Sequence, residues 1–353
     1  MARRKRQTLP SDFSTLLDEA PLETLIATFE HCDLEARGGY AKQTALSFYN
    51  CPDALLHWLV AQGADLEAVD KDGRTALHHR AAGWKGGVDA LLALGADRHA
   101  RDRRGNTPLH AAAQSHKSAS LRRLVEHGAS VDARNDAGMT PLKLALATAS
   151  NSDIVETAEI AGVLLAAGAS VQDDMRADVD RIGRTFEFHR AGFNPEFLDA
   201  TDAGLTTLYR LFGTAPAAAR RVHDGRSPIV VDDAAWPAQF DALWQLLVPS
   251  SGAAASVQGE VIRIAGKLSR EILDNGAVNW DADFRAMLAA FAAHLGSGTP
   301  LPAAALADAR ALTSALHAGD GDEDALSALA RLAVDWVRLN PAPIALPLPA
   351  YRR

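Results

Sequence analysis

The sequence is short of cysteine and of long hydrophobic runs. Cys32 and Cys51 are the only cysteines among 353 residues, too few for a disulfide framework or a cysteine-based zinc site. No apolar stretch approaches the roughly 20 residues that a membrane-spanning helix needs. These shortages exclude a disulfide-rich secreted domain. They predict a protein without a membrane segment, located in the reducing cytoplasm.

Basic residues are outnumbered as well. The chain has 36 lysines and arginines against 44 aspartates and glutamates, a net charge of −8, whereas nucleic-acid binding normally needs a basic face. The basic start, MARRKRQTLPSD, has no apolar segment behind it and is therefore not a secretory signal. We expect residues 1–12 to form a disordered basic tail, and we expect no nucleic-acid partner. The richness in alanine and arginine suggests a bacterial protein.

Motifs of the common enzymes and cofactor sites are also missing. The sequence has no P-loop, dinucleotide-binding fingerprint, metalloprotease helix or CxxC pair. The carboxylates of Glu271, Asp274, Asp281 and Asp283 are explained by helix caps and surface ion pairs. The segment HDGRSP (223–228) holds histidine, aspartate and serine, but its glycine and proline favour a turn. We therefore predict no catalytic residue, no cofactor and no metal site.

What the chain does have is a repeat with a period of 32 to 40 residues. A weak first copy is TFEHCDLEAR (28–37). Four further segments share a glycine followed by alanine, and these are LVAQGADLEAVD (59–70), LLALGADRHARD (91–102), LVEHGASVDARN (124–135) and LLAAGASVQDD (164–174). Such a period indicates one small unit stacked several times, and stacked units form extended binding surfaces.

A second motif follows three of these segments. Its copies are DKDGRTALHH (70–79), DRRGNTPLHA (102–111) and NDAGMTPLKL (135–144). Each copy has a glycine suited to a tight turn. Thr75, Thr107 and Thr140 then stand where a helix begins, and Pro108 and Pro141 follow at the first helical position. The motif predicts a turn that leads directly into a helix.

Together, the turn, the cap, the paired leucines and the Gly-Ala pair resemble the ankyrin repeat, whose unit is a turn followed by two antiparallel helices. The resemblance implies an all-α, ankyrin-like helical-repeat solenoid in which His78 and His110 hold the turns by bonding nearby backbone. It also implies binding of another protein by the turn tips and inner helices. The residues that we expect to contact this partner are Lys71, Asp72, Arg74, His79, Arg80, Arg103, Arg104, Asn106, Gln114, Ser115, Asp136 and Met139.

Three of the residues near the second repeat permit two interpretations. His79 and Arg80 either point toward a ligand or are local accommodations of the fold. Trp84 is either a plug of the core or an exposed anchor.

The repeats define the expected domain organisation. Ankyrin-like repeats occupy 13–175, with an insertion around 147–156 that we expect to lengthen one turn between helices. Degenerate repeat-like units follow over 176–252, and an α-helical C-terminal domain with a proline-rich tail occupies 253–353. The expected openings of the degenerate units are DRIGRT (180–185) and HDGRSPIVV (223–231).

The turn RHARDRR (98–104) concentrates positive charge between two regular repeats. Lys71 and Arg74 occupy comparable places one repeat earlier. Because successive turns of a solenoid lie side by side, these side chains are expected to merge into one positive strip that attracts an acidic partner. The alternative is an ordinary solvated turn surface.

The sequence thus favours an intracellular scaffold for protein–protein interaction, a monomer whose partner is not identified. A narrower hypothesis is a bacterial immunity protein or antitoxin that occludes a toxin. A third is an enzymatic C-terminal domain addressed to its target by the repeats.

Overall fold

The chain folds into two helical units. The computed structural model describes residues 5–84 and 87–352. The first unit extends to residue 186 and takes in 193–217, and the second takes in 187–192 and 218–353. The described residues form sixteen α-helices and a three-stranded sheet, which confirms the predicted all-α class. Among the described residues, no helix is both long and apolar enough to cross a membrane.

The sheet lies at the start of the first unit. Strand β1 (Arg6–Thr8) pairs in parallel with β2 (Cys32–Gly38), and β2 pairs in antiparallel with β3 (Gln43–Thr44). Helices α1 (Phe13–Glu19) and α2 (Leu22–His31) connect β1 to β2. The expectation of a disordered tail over 1–12 is therefore wrong for the strand and for the residues leading into α1, because their backbone and side chains are tied to the first unit. Residues 1–4 of that tail lie outside the described residues.

A backbone hydrogen bond and a buried side chain hold the N-terminal segment on the first unit just after β1. The backbone N–H of Leu9 donates to the carbonyl oxygen of Arg37 at 3.0 Å, and the Leu9 side chain is buried in the core of the first unit. A buried leucine held by a backbone hydrogen bond fixes the chain on either side of it.

The repeats form two rows of helices. The helices are α3 (Asp53–Ala61), α4 (Ala76–Ala82), α5 (Asp89–Ala93), α6 (Pro108–Gln114), α7 (Ser118–Glu126), α8 (Pro141–Thr148) and α9 (Ile154–Ala166). In one row α4 packs on α6 and α6 packs on α8, and in the other α7 packs on α9. Leu109, Leu121 and Leu124 are fully buried between the rows. Each repeat therefore shields the apolar face of the next, as a stack requires.

The insertion after Thr140 lengthens a helix more than it lengthens a turn. Helix α9 has 13 residues, whereas α7, its counterpart one repeat earlier, has 9. The connection before α9 contains a short 3-10 turn (Asn151–Asp153). The expected longer turn is thus only part of the change. Ile154, Ile160 and Leu164 are fully buried, and this apolar spacing sustains the longer helix.

The first expected degenerate opening, at 180–185, is not a turn. It lies inside α10 (Asp173–His189), where Val179, Ile182 and Phe186 are buried at helical spacing. A side chain on Gly183 would overlap the phenol of Tyr209, so this glycine admits a neighbouring ring instead of a tight turn. Helix α11 (Leu198–Phe212) packs on α9 and ends at Gly213 in a left-handed conformation.

The second unit is a bundle of five helices among the described residues. They are α12 (Trp236–Leu247), α13 (Val257–Ser269), α14 (Ala282–Leu295), α15 (Ala303–Ala318) and α16 (Glu323–Leu339). A single π-helical turn (Arg270–Asp274) extends α13. The expected boundary between 252 and 253 is displaced, because α12 belongs to this bundle. The second expected opening, at 223–231, forms no helix, and in it the Asp224 carboxylate accepts from the backbone N–H of Arg226 and Ser227.

The second unit contains a buried ion pair. Glu260 and Arg263 are three residues apart on α13, the spacing of an exposed helical ion pair, but both side chains are almost completely buried. The Tyr351 hydroxyl donates to Glu260 at 2.7 Å and closes the pair from the C-terminal segment. Burial by itself raises the pKa of Glu260, but the hydrogen bonds from Arg263, the Ala254 N–H and Tyr351 hold it below its usual value.

Candidate functional site

The turns between repeats are stacked on one another by backbone hydrogen bonds. The N–H of Lys71 donates to the carbonyl of Ala41, and the N–H of Arg103 donates to the carbonyl of Asp72, both at 3.0 Å. The N–H of Asp136 donates to the carbonyl of Arg104, also at 3.0 Å. The four turn tips, numbered first to fourth in chain order, contain Ala41, Lys71, Arg103 and Asp136. They therefore lie side by side, as the period predicted.

Each turn is also closed by one side chain of its own. In the third turn, Oδ1 of Asp102 accepts from the N–H groups of Arg104 and Asn106, both at 2.8 Å. Asp70 and Asn135 make the same pair of hydrogen bonds in the neighbouring turns. The backbone of the turn tips is thus fixed before any partner arrives.

Two buried histidines join each turn to the next repeat. Nδ1 of His110 accepts from the N–H of Thr107 at 3.2 Å, and its Nε2 lies 3.0 Å from the carbonyl oxygen of Met139. His78 makes the equivalent bonds to Thr75 and to the carbonyl of Asn106. Burial lowers the pKa of both rings, so each is neutral with the proton on Nε2. Their structural role, implied by the resemblance, is confirmed.

Glycine is required where one turn approaches another. Gly73 has a φ of +78°, and a Cβ there would lie 2.9 Å from the backbone nitrogen of Arg103. Gly105, one repeat later, has a φ of +71° and lies beneath the ion pair of Arg101 with Asp136. A side chain at either position would meet the neighbouring turn, in addition to straining the left-handed backbone.

A pocket of about 420 Å³ opens between the third and fourth turn tips. Six of the predicted contact residues border it, namely Arg103, Arg104, Asn106, Gln114, Asp136 and Met139. Asn135, Ala137 and Leu144 complete its lining. The turns supply the polar rim, and α6 and α8 supply Gln114 and Leu144. The structure thus brings half of the predicted residues to one place.

Arg80 was wrongly expected to face a partner. Its side chain is 1% exposed, and its guanidinium binds the carbonyl of Cys51 and, at 3.2 Å, the carboxylate of Asp53. Arg80 instead ties the second repeat to the segment before α3. Asn106 is also buried, although it borders the pocket, because its amide bonds Asp102 and Asn135.

The remaining predicted residues belong mainly to the second turn. Asp72 is exposed, and Ser115, at the end of α6, is half-buried. The ammonium of Lys71 lies 3.4 Å from the centre of the Tyr40 ring. Arg74 is 3.7 Å from the Asp102 carboxylate, and Nε2 of His79 is 2.9 Å from Asp70. Most charges of this turn are therefore already engaged within the chain.

The expected positive strip is narrower than the sequence suggested. The Arg98 guanidinium donates to the carbonyl of Gly128, and Arg101 pairs with Asp136 at 3.4 Å. Arg103 and Arg104 are exposed, and neither forms an ion pair with another described residue. The available positive charge is concentrated at these two guanidinium groups.

The sequence did not predict that Tyr40 is exposed, and it left the position of Trp84, core or surface, undecided. Tyr40 is 92% exposed and precedes Thr44 by the same four residues that separate Lys71 from Thr75, so aligning the irregular repeat would have placed it on a turn tip. Trp84 is 88% exposed, with the ammonium of Lys117 3.0 Å from its ring centre. It is a surface residue and not a plug of the core.

The carboxylates of the second unit are used for structure. Glu271 is buried and accepts from the N–H of Asn279 at 2.6 Å and from the amide of Asn275 at 3.1 Å. Asp281 caps α14, as predicted. Within the described ranges, no group of three histidine, cysteine or acidic residues is placed to hold a metal ion.

The comparison with known proteins agrees with this geometry. Residues 79–173 match the family model of ankyrin repeats, in three copies, and this segment includes every residue that borders the pocket. No curated protein matches the chain. The segment 79–173 therefore consists of ankyrin repeats, which are generally protein–protein interaction modules and typically have no enzymatic activity.

Proposed function

We propose that this protein is a cytoplasmic interaction module that binds a partner protein at the pocket between its third and fourth turn tips. The observation that carries the proposal is the pair Arg103 and Arg104. Both guanidinium groups are exposed beside a pocket with an apolar side, and neither is paired with another described residue. Arginine beside apolar surface is typical of the residues that dominate binding energy in protein interfaces.

The rigidity of the turns supports binding as the activity of this surface. The backbone of the third turn is held by Asp102 within the turn, by Asp72 from the preceding turn and by Asp136 from the following one. A surface that is already ordered loses little conformational entropy on association. The turn tips therefore offer fixed positions for the two arginines.

The charge of the surface supports an acidic partner as part of this proposal. Two unpaired guanidinium groups attract a negative surface, which raises the association rate at low salt more than it raises affinity. We expect binding to weaken as ionic strength increases. Among the described residues, no particular contact favours a toxin as the partner or an enzymatic role of the second unit, so the proposal is limited to binding.

The experiment compares charge reversal at the pocket with charge reversal elsewhere. The full-length protein, its Arg103→Glu/Arg104→Glu variant and its Arg331→Glu/Arg338→Glu variant are immobilised and used to capture proteins from the native host. Arg331 and Arg338 are exposed on α16 and provide a matched control. Circular dichroism verifies that all three proteins are folded.

We expect at least one protein to be retained by the wild-type protein and the α16 control but not by the pocket variant. If the pocket variant retains the same proteins in the same amounts, the pocket is not the binding surface and the proposal is rejected.

A further inference from the structure

The lining of the pocket also indicates what part of a partner enters it, an inference that rests on the proposed function. We propose that the pocket holds an extended peptide segment of the partner in which a side-chain oxyanion stands next to a large apolar side chain. The oxyanion binds Arg103 and Arg104, and the apolar side chain packs on Met139 and Leu144.

The charges that border the pocket are unbalanced. Arg103, Arg104 and Asp136 are the ionised residues of its lining. The Asp136 carboxylate is already paired with Arg101, which is not part of the lining. The two guanidinium groups therefore leave the pocket positive, and a guanidinium binds carboxylate or phosphoryl oxygens through two parallel N–H donors.

On the side of the fourth turn and α8, the lining of the pocket includes three apolar residues. Ala137, Met139 and Leu144 come from the fourth turn and from α8. Met139 is half-buried, and its unbranched thioether side chain adapts to the shape of an apolar neighbour. This side of the pocket accommodates an aliphatic or aromatic side chain, while a second charge placed there would lose its hydration without gaining a partner.

The size of the pocket favours a segment of chain as its occupant. A volume of about 420 Å³ lies in the range of small-ligand sites and holds a few side chains. The Gln114 amide, exposed at the edge of the pocket, offers both a donor and an acceptor to the backbone of an extended segment.

The preceding turn differs from the third turn at the positions that line the pocket. At the positions equivalent to Arg103 and Asn106, Lys71 is covered by the Tyr40 ring and Arg74 is close to the Asp102 carboxylate. At the position equivalent to Leu144, the preceding repeat has the smaller Ala111. The available positive charges and the large apolar side chain that define the pocket are therefore both missing one repeat earlier.

The first experiment selects peptides from a random nonapeptide library displayed on phage. The baits are the full-length protein and its Arg103→Ala/Arg104→Ala variant. We expect the wild-type protein to enrich peptides in which aspartate or glutamate adjoins leucine, isoleucine, phenylalanine or methionine, and we expect the variant to lose this enrichment.

Three results would overturn the inference: enrichment without an acidic residue, the same peptides on both baits, or no enrichment over the variant. The proposed function fails separately. If capture of a host protein still depends on Arg103 and Arg104 while no peptide is enriched, the partner uses a folded surface. In that case the interaction module stands and the peptide occupant is rejected.

The second experiment measures whether the two halves of the selected peptide meet the expected residues. Fluorescence anisotropy follows the labelled peptide, its acid-to-amide variant and its apolar-to-alanine variant on wild-type, Arg104→Ala and Met139→Ala proteins. We expect each single change to weaken binding at least tenfold. On Arg104→Ala, the acid-to-amide peptide should bind less than threefold more weakly than the unmodified peptide binds to the same variant. On Met139→Ala, the apolar-to-alanine peptide should likewise bind less than threefold more weakly than the unmodified peptide. If the peptide change and the protein change together weaken binding by the product of their separate effects, the assigned contacts are contradicted.

Arg122→Ala is the matched control, because Arg122 is exposed on α7 of the same repeat and does not border the pocket. Its affinity for the peptide should equal that of the wild-type protein. A further peptide with phosphoserine in place of the acid identifies the source of the oxyanion. Tenfold tighter binding indicates a phosphoryl group, and any smaller gain or a loss of affinity indicates a carboxylate. Undiminished binding of the acid-to-amide peptide to the wild-type protein contradicts the oxyanion contact.

Discussion

Nε2 of His110 lies 3.0 Å from the carbonyl oxygen of Met139, so a single imidazole joins the start of one helix to the turn of the next repeat. One repeat later the equivalent position is Lys143. Its ammonium lies 2.6 Å from Asp174 and 2.7 Å from Asp178, both on α10. The side chain at this position therefore reaches forward in both repeats, and its chemistry matches the element that follows, a turn carbonyl in one case and helix carboxylates in the other.

Replacing His110 by alanine should destabilise the first unit by about 1–3 kcal/mol, the usual cost of leaving buried polar groups without a partner. The carbonyl of Met139 and the N–H of Thr107 both lose the ring that binds them. Urea unfolding followed by circular dichroism measures the change. His99→Ala, at an exposed histidine in the same stack, should leave the free energy of unfolding within about 0.5 kcal/mol of wild type. Equal effects of the two substitutions would contradict the role of His110.

The stability of the repeats should fall as the solution becomes acidic. Burial lowers the pKa values of His78, His79, His110 and His116 below their ordinary 6.5. These rings bind fewer protons in the folded than in the unfolded chain. The contribution of these four histidines to the free energy of unfolding is therefore at its full value above pH 6.5 and is lost as the pH falls below it.

The measurement is the free energy of unfolding at pH values about one unit above and below 6.5. The loss on acidification should be smaller in a His110→Gln variant, which lacks one of these rings, and unchanged in His99→Ala. An identical loss in His110→Gln and wild type would show that His110 does not contribute to the acid sensitivity.

Gly73→Ala should cost more stability than Gly138→Ala, although both glycines have left-handed backbones, with φ of +78° and +73°. At Gly138 a Cβ meets nothing within 4 Å, so only the backbone strain of about 1–2 kcal/mol applies. At Gly73 it would lie 2.9 Å from the backbone nitrogen of Arg103, which cannot move without separating two hydrogen-bonded turns. We expect a further loss of about 1–3 kcal/mol. Equal thermal midpoints for the two variants would refute the close approach of the turns.

In the second unit, Glu260→Ala should be strongly destabilising, by about 3–5 kcal/mol, because it leaves the buried Arg263 guanidinium without its carboxylate. Removing both charges together, as in Glu260→Leu/Arg263→Met, should recover much of this loss. Tyr351→Phe removes one hydrogen bond, of 2.7 Å, to the carboxylate and should cost about 1 kcal/mol. Urea unfolding of the three variants checks the order, and a double variant less stable than Glu260→Ala would contradict it.

Much of the first unit could be predicted because its signals are local. Thr75, Thr107 and Thr140 begin helices at the expected positions, since a cap depends on residues three positions apart. The same short pattern misled at 180–185, where Gly183 lies inside α10. There the buried apolar residues at helical spacing determine the structure, and the glycine accommodates the Tyr209 ring.

Residues that depend on distant parts of the chain were harder to predict. An arginine at position 80 looks suited to a surface, yet Arg80 is buried because Asp53 and the carbonyl of Cys51 receive it. Glu260 and Arg263 have the spacing of an exposed helical ion pair. They are buried because Tyr351, 91 residues further along the chain, packs over them.

By itself, the sequence determined the period of the repeats, their turns and their helix starts. Those features arise from interactions among residues a few positions apart, which leave a pattern in the letters. Only the tertiary structure decided which charges remain available. Arg74 and Arg101 are engaged by acidic residues of the next repeat, whereas Arg103 and Arg104 are not. An ion pair forms or fails according to the distance between side chains of different repeats, and that distance is set when the repeats stack.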